Sequence, residues 1–508
     1  MIPRAKWPSF LALGLLALGA ILFARTIEIV DTDELWHLAT GRLIVQTASV
    51  PTRDPFTFTA GDTPWVNTNW LAQVLLYTTF RAGGFEGCVL LGFACVVGAL
   101  ALVHVLALRR TGSPIAALAA VAFAANILTT TSTIRPQGWT FVLLAAALLL
   151  LWLLREKPMR GWGIALGFLL ALSVQLHGGF IFPFGVTGLA LLASVVERRA
   201  ASAWLLVLAL AIGLAGFFLH PHGFEALLHP FRYVLDPRFR DMNRDVVELR
   251  PTDLAHGSGR FLEEALLLFL VLGLVARPKL RLEEIAGLLL LAHLALTSRR
   301  GLHYFGLVAA APLACTVQAA LALGRERGGL LLGRAVAWLL DQEKHLEPWT
   351  RFAPLVLLLS VPLAALVPVE SLAPGKPRSM ESALLRSQQD VAAVGSYLLA
   401  KDPPGNVWNE METGGALLWL LYPDRRVSID GRGDLHARSG AWRDMVTVLH
   451  CEPDWEGVLE RSGCDTVVVE RDDLSRRLYR RGWRLAFEAG RLVVMVRPGS
   501  RAERKLLP

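Results

Sequence analysis

Three carboxylates and a histidine stand within seven residues at Asp31-Thr-Asp-Glu-Leu-Trp-His37. Acidic groups beside an apolar run are costly unless solvated or paired, which makes them candidates for chemistry. An Asp here could accept the proton of a hydroxyl nucleophile, or supply oxygen ligands to a divalent ion. The same residues also suit an acidic loop, with Asp33 as a helix N-cap. A second set of candidates is cationic. Arg135, His177, His220, His222, Arg299, Arg300 and His303 all fall in or beside gaps between apolar runs. An arginine fork can bond two oxygens of a phosphate at once. Arg135 and His177 stand out because they occupy short turns between near-continuous apolar stretches. Snorkelling to lipid headgroups or capping a helix is the plainer role for each. The loop 220–261 carries Asp236, Asp241, Asp245 and Glu248 among several arginines; it could close over an acceptor or supply a second acid, but reads first as solvated structure.

The elements that must position these residues are membrane helices. Of 508 residues, 54% are hydrophobic and only 19% charged, against about 25% charged in soluble domains. Mean hydropathy is +0.45. The apolar blocks predict about eleven spans, near 8–24, 86–108, 114–134, 138–154, 161–176, 179–196, 202–219, 262–277, 283–297, 303–323 and 352–369. Arg4 and Lys6 before the first block resemble a signal peptide, but no small-x-small cleavage site follows, so the block reads as an uncleaved span. With those two residues inside, most arginines and lysines of the short gaps fall on the inner side, Arg299 and Arg300 dissenting. The N-terminus is then cytoplasmic and the C-terminal domain extracytoplasmic. This distribution of the +8 formal charge argues against a nucleic-acid partner.

The predicted architecture is mainly α: a polytopic transmembrane bundle over 1–372, a linker over 373–390, and a small α/β domain over 391–508. The outer loop 25–85 should hold two amphipathic helices. One carries Leu35, Trp36, Leu38 and Leu43, the other Trp70, Leu71, Val74, Leu75 and Leu76. Both suit the membrane surface, and both suit packing on the bundle. In the C-terminal domain 406–409, 426–429, 465–469 and 492–496 read as buried strands, with helices over 414–421, 440–449, 455–462 and 472–481 between them. Cys451 and Cys464 are either a disulfide or two free thiols.

An acidic pair after the first span, followed by a long outer loop with two helices, resembles the GT-C superfamily of membrane glycosyltransferases. More narrowly, the chain is similar to a bacterial branch of it. The pieces that carry the resemblance are Asp33-Glu-Leu-Trp-His-Leu-Ala-Thr-Gly41, Pro51-Thr-Arg-Asp-Pro-Phe-Thr-Phe-Thr59, Trp65-Val-Asn-Thr-Asn-Trp70, Arg135-Pro-Gln137, His177-Gly-Gly-Phe180, Gly414-Gly415 and Ile429-Asp-Gly-Arg432. The resemblance implies a protein of the bacterial inner membrane that transfers a sugar from a polyprenyl-phosphate carrier on the extracytoplasmic face. The acceptor would be a glycan, lipid or protein. The resemblance gives Asp33 the role of base for the acceptor or ligand for a metal, with Glu34 beside it and Asp31 as rival. It leaves a divalent cation open. Arg135, His177, Arg299 and Arg300 would meet the donor phosphate. A GT-C-like scaffold without catalysis, and a transporter or lipid-handling protein, are the alternatives.

Overall fold

The computed structural model describes residues 33–128, 134–239, 242, 246–327, 329–350, 352–366 and 389–507. The expected first span, Asp31 and most of the expected linker lie outside them. The chain enters on α1 (Asp33–Thr47), crosses an irregular loop, and continues in α2 (Trp70–Thr111). The two helices expected of the outer loop are therefore present, the second as the first part of α2. Gly84, at φ 60°, ψ −156°, breaks the helical backbone between that part and the apolar length that follows. A side chain is strained at such a φ, so this kink depends on glycine. In α1, every residue from Glu34 to Gly41 is buried. A helix lying on a membrane would keep one wet face; α1 is instead enclosed by the bundle and the C-terminal domain.

The bundle continues with α3 (Pro114–Leu128), α4 (Gln137–Glu156), α5 (Arg160–Leu176), α6 (Ile181–Val196), α7 (Ala200–Ala215), α8 (Glu225–Leu235), α9 (Gly257–Ala276), α10 (Leu282–Thr297), α11 (Gly301–Arg327), α12 (Leu330–Thr350) and α13 (Ala353–Leu366). Five stretches are long and apolar enough to cross a bilayer: Trp70–Thr111, Gln137–Glu156, Gly178–Val196, Ala200–Leu219 and Gly301–Arg327. Pro114–Leu128 and Arg160–Leu176 are apolar but shorter. Small residues bring helices close: Ala116, Ala117, Ala120 and Ala124 of α3 share a core with Phe305, Ala309 and Ala310 of α11. Large apolar residues point outward instead, among them Phe168, Leu192, Trp204, Leu270 and Leu274. Such a belt would be a liability in water and is what lipid solvates. The chain is a multi-pass membrane protein. Helix α12 falls in the gap between the spans expected at 303–323 and 352–369; Arg334, Asp341, Glu343 and Lys344 lower its hydropathy although it is helical.

Beyond the bundle, α14 (Gln389–Lys401) leads into a four-stranded sheet of β1 (Asn406–Asn409), β2 (Cys464–Glu470), β3 (Arg484–Ala489) and β4 (Leu492–Val496). The order is β1-β2-β4-β3, with β1 parallel to β2 and the other pairs antiparallel. Helix α15 (Met411–Leu421) follows β1, and α16 (Gly433–Ser439) and α17 (Ala441–Leu449) follow the Ile429–Arg432 turn. Three of four expected strands are in the sheet. The fourth, 426–429, is not: Val427 forms a bridge with Thr57 of the outer loop. Its backbone donates to the Phe56 carbonyl and accepts from the Phe58 N–H, both at 3.1 Å. The alternation that looked like a sheet strand thus serves to join two distant parts of the chain. Cys451 and Cys464 are free thiols.

Candidate functional site

Asp33 opens α1, where the positive end of the helix dipole favours a carboxylate. The Trp36 indole N–H, one turn on, donates to Asp33 Oδ1 at 3.1 Å. Arg135 approaches from the turn before α4, its Nη2 3.2 Å from Asp33 Oδ2 and its Nη1 2.9 Å from Glu248 Oε1. Arg300, between α10 and α11, reaches the other Glu248 oxygen at 2.9 Å. Backbone pairing delivers Glu248: Arg300 N–H donates to its carbonyl at 3.0 Å, and the Ser298 hydroxyl does so at 3.2 Å. Two carboxylates and two guanidinium groups therefore alternate in the lining of a cleft of about 220 Å³. The rest of the lining is mostly apolar, with Met242, Leu249, Met411 and Trp442, and carries one further carboxylate, Glu412.

The C-terminal domain closes this cleft. A β-carbon at Gly431 would stand 1.6 Å from Asp33 Oδ1, so only glycine allows the approach. Its neighbours fix it there. Arg432, whose side chain is 1% exposed, bonds Asp430 at 2.6 Å and Asp54 of the outer loop at 2.8 Å. Its guanidinium lies 4.6 Å over the Trp65 ring and 5.1 Å from that of Phe56. Burial alone would raise the Asp430 carboxyl, but the charge of Arg432 and hydrogen bonds from His436 and Arg432 outweigh it and hold the group far below the usual range. Removing one partner of such a buried pair costs about 3–5 kcal/mol.

The environments of the acids differ. Burial raises the Asp33 carboxyl to about 7, against the pull of the Trp36 hydrogen bond; Glu248 and Asp430 add to the rise and Arg300 opposes it. Glu34 is raised by burial too, with the Ile134 N–H opposing. Glu34 accepts that N–H at Oε1 and faces away from the cleft, so it anchors the backbone just before Arg135. For Glu248 the attraction of Arg135 and Arg300 overcomes the rise that burial imposes.

The expected phosphate ligands divide. Arg135 and Arg300 line the cleft; Arg299 and His177 do not. Arg299 is exposed and uses its backbone N–H on the Arg250 carbonyl. His177 ends α5; its Nδ1 accepts from Gly179 N–H at 3.0 Å and lies 2.8 Å from Thr140 Oγ1. Burial, then the charges of Arg300 and Arg135, push it down to about 3, so the ring is neutral at ordinary pH. Behind it runs a buried polar chain from the outer-loop motifs. His37 Nδ1 meets Gln73 at 3.0 Å, Gln73 takes a bond from Asn67 at 2.7 Å, and Asn67 N–H donates to His222 at 3.1 Å. Glu248 reads as structural in the sequence, because mixed charges in 220–261 look like any solvated loop, and Glu412 of the lining carries no local signal at all.

Three carboxylates line this cleft, those of Asp33, Glu248 and Glu412. Asp33 and Glu248 do not fit a divalent cation between them: the Arg135 guanidinium already bridges the two, and Arg300 takes the remaining Glu248 oxygen. Among the described residues no group of three or more His, Cys, Asp or Glu is placed to hold a metal.

No protein-family model and no curated protein sequence matches the chain. Solved structures do. ArnT from Cupriavidus metallidurans bound to undecaprenyl phosphate matches with a TM-score of 0.53 at 15% identity, over 98% of this chain and 99% of that one. The Archaeoglobus fulgidus oligosaccharyltransferase in its apo form gives 0.54 at 14% identity, over 90% and 69%. AglB from Archaeoglobus fulgidus, in complex with an inhibitory peptide and a dolichol-phosphate, gives 0.52 at 13%. The chain shares its fold with these proteins. That match spans bundle and C-terminal domain together, and several motifs singled out in the sequence meet in space. Asp33, Arg135 and Gly431 line one cleft, and Asp54 and Trp65 hold Arg432 next to it. At these identities the likeness speaks for the fold, and the chemistry must be argued from the residues.

Proposed function

We propose that the chain is a membrane glycosyltransferase that moves a sugar from a polyprenyl-phosphate-linked donor to an acceptor hydroxyl in the Asp33 cleft. The observation that carries the reading is the Asp33–Arg135–Glu248–Arg300 array in a mostly apolar lining, in a chain that shares its fold with ArnT and the Archaeoglobus fulgidus oligosaccharyltransferase. In the reaction the acceptor oxygen bonds the anomeric carbon while the bond from that carbon to the phosphate oxygen breaks. The acceptor proton passes to Asp33, and the polyprenyl phosphate leaves with the electron pair. A carboxyl near 7 suits this transfer, because a base works best with its pKa near the working pH. Pairing with Arg135 favours the ionised form the base needs. Arg300, 44% exposed, and Arg135 face the charge that grows on the leaving phosphate. Asp31 keeps its place as rival base.

In this reading 1–372 is the membrane domain, 373–390 the connector and 391–508 an extracytoplasmic domain that closes the cleft, in the bacterial inner membrane with the N-terminus cytoplasmic. Membranes expressing wild type or Asp33→Asn at matched levels, supplied with labelled polyprenyl-linked sugars, test it. Labelled product from wild type alone supports the reading. Equal product from both removes Asp33 from the chemistry. Product from neither, across a broad donor panel, favours a scaffold.

A further inference from the structure

We infer that Arg135 permanently fills the place between Asp33 and Glu248 that a divalent cation would take, so that the cleft works without a bound metal. The inference rests on the glycosyltransferase reading for its chemistry, and on geometry for the place itself. Two carboxylates brought to one partner in a cleft invite a cation with oxygen ligands. Here one guanidinium spans them, 3.2 Å from Asp33 and 2.9 Å from Glu248. Arg300 then meets Glu248 Oε2 at 2.9 Å. The two arginines together bring the same two positive charges as one divalent ion. A cation added between the acids would have to displace one guanidinium and sit beside both.

The rest of the chain is built to keep Arg135 there. Buried Glu34 accepts the N–H of Ile134, one residue before Arg135, which fixes where the side chain starts. Pro136 follows at once and α4 begins at Gln137, so the backbone has little freedom on either side. Glu34 is thus a positioning residue acting through Arg135. Glu248 is held in turn by the Ser298 and Arg300 bonds to its carbonyl. A guanidinium stays charged at any working pH and needs no loading from solution, while its fork can still share two oxygens with an arriving phosphate.

The test uses the full chain in lipid nanodiscs with two readouts. Transfer from a polyprenyl-phosphate donor is measured after EDTA treatment, and again with added Mn²⁺. It should stay within a factor of about two in both. Arg135→Ala should lose about 100-fold or more, and guanidinium ions in the buffer should restore part of that loss. Mn²⁺ binding is followed separately by electron paramagnetic resonance, which needs no turnover. Wild type should hold no Mn²⁺ that Asp33→Asn fails to hold, with Glu248→Gln as the second variant should the first not fold. Transfer abolished by EDTA and restored by Mn²⁺ would overturn the inference. So would Mn²⁺ held by wild type and lost in either variant. If no transfer occurs under any condition, the glycosyltransferase reading fails, and the Mn²⁺ measurement alone still decides this inference.

Discussion

Arginines and glutamates cluster at both ends of the bundle, joined by the same helices, and the two clusters differ in what surrounds them. Helix α2 ends beside Arg110, α4 joins the turn that holds Arg135 to Arg155 near its other end, and α10 runs from beside Glu284 towards the turn that holds Arg300. At the far end Arg110 pairs with Glu284 at 2.9 Å, and Arg155 pairs with Glu197 and Glu283, each at 2.8 Å. Arg281 pairs with Glu156. Those bonds tie α2, α4 and α10 together, beside a slot of about 70 Å³. At the Asp33 end the ions line about 220 Å³ and are closed over by a second domain. Alike in residue type, one cluster is a set of staples and the other faces a space that can hold a sugar ring. The lesson is that ion pairs in a membrane protein are sorted by the cavity they face more than by their composition.

The largest effect that could break this contrast is Asp33→Asn. It should lower transfer by about 10³-fold, within the range for a positioned base, while the unfolding midpoint measured in detergent stays close to wild type. A tolerated Asp33→Asn would make the upper cluster another staple. Next comes Gly431→Ala, whose new methyl must push Asp33 or the Asp430–Arg432 turn aside. Transfer should fall about 100-fold, read together with the melting midpoint, which should drop as well.

The paired charge deletions sharpen the comparison most directly. Arg135→Ala should remove activity, as above. Arg155→Ala deletes a similar charge at the other end and should leave transfer unchanged per folded molecule. Its cost is stability alone, about 1–3 kcal/mol in chemical denaturation for the acids left without a partner.

A smaller effect is the pH dependence. The folded pKa of Asp33, about 7, lies above the reference value of 3.8. The folded protein therefore holds this proton more tightly than the unfolded chain does. Rising pH through that window removes the proton, which lowers stability while it creates the base. Transfer should thus climb with pH through about 7. Wild type should lose more thermal stability between about pH 5 and about pH 8 than Asp33→Asn does.

Much of this was legible in the chain itself. Apolar blocks reveal helices because hydropathy is a local property, and Asp33 and Arg135 drew notice because charge beside an apolar run is costly. The soluble strands followed from short buried runs, although β3 escaped: Arg484, Leu485 and Glu488 are exposed, so it lacks a buried pattern. What stayed hidden depends on distance along the chain. Asp54 and Arg432 are 378 positions apart, and nothing in either neighbourhood announces the pair. Val427 reads as a sheet strand because local alternation cannot say which partner a strand has. Glu34 looked like a second catalytic acid beside Asp33; on a helix, consecutive residues point in different directions, and Glu34 faces Ile134 instead.

The most direct measurement is a cryo-electron microscopy structure of the full chain in nanodiscs with added polyprenyl phosphate. The phosphate should lie within about 3 Å of Arg300 and Arg135, the length of a charge-assisted hydrogen bond, with its chain leaving along the bundle. A phosphate lodged instead at Arg155 and Arg281 would place the chemistry at the wrong end and contradict the assignment of the Asp33 cleft.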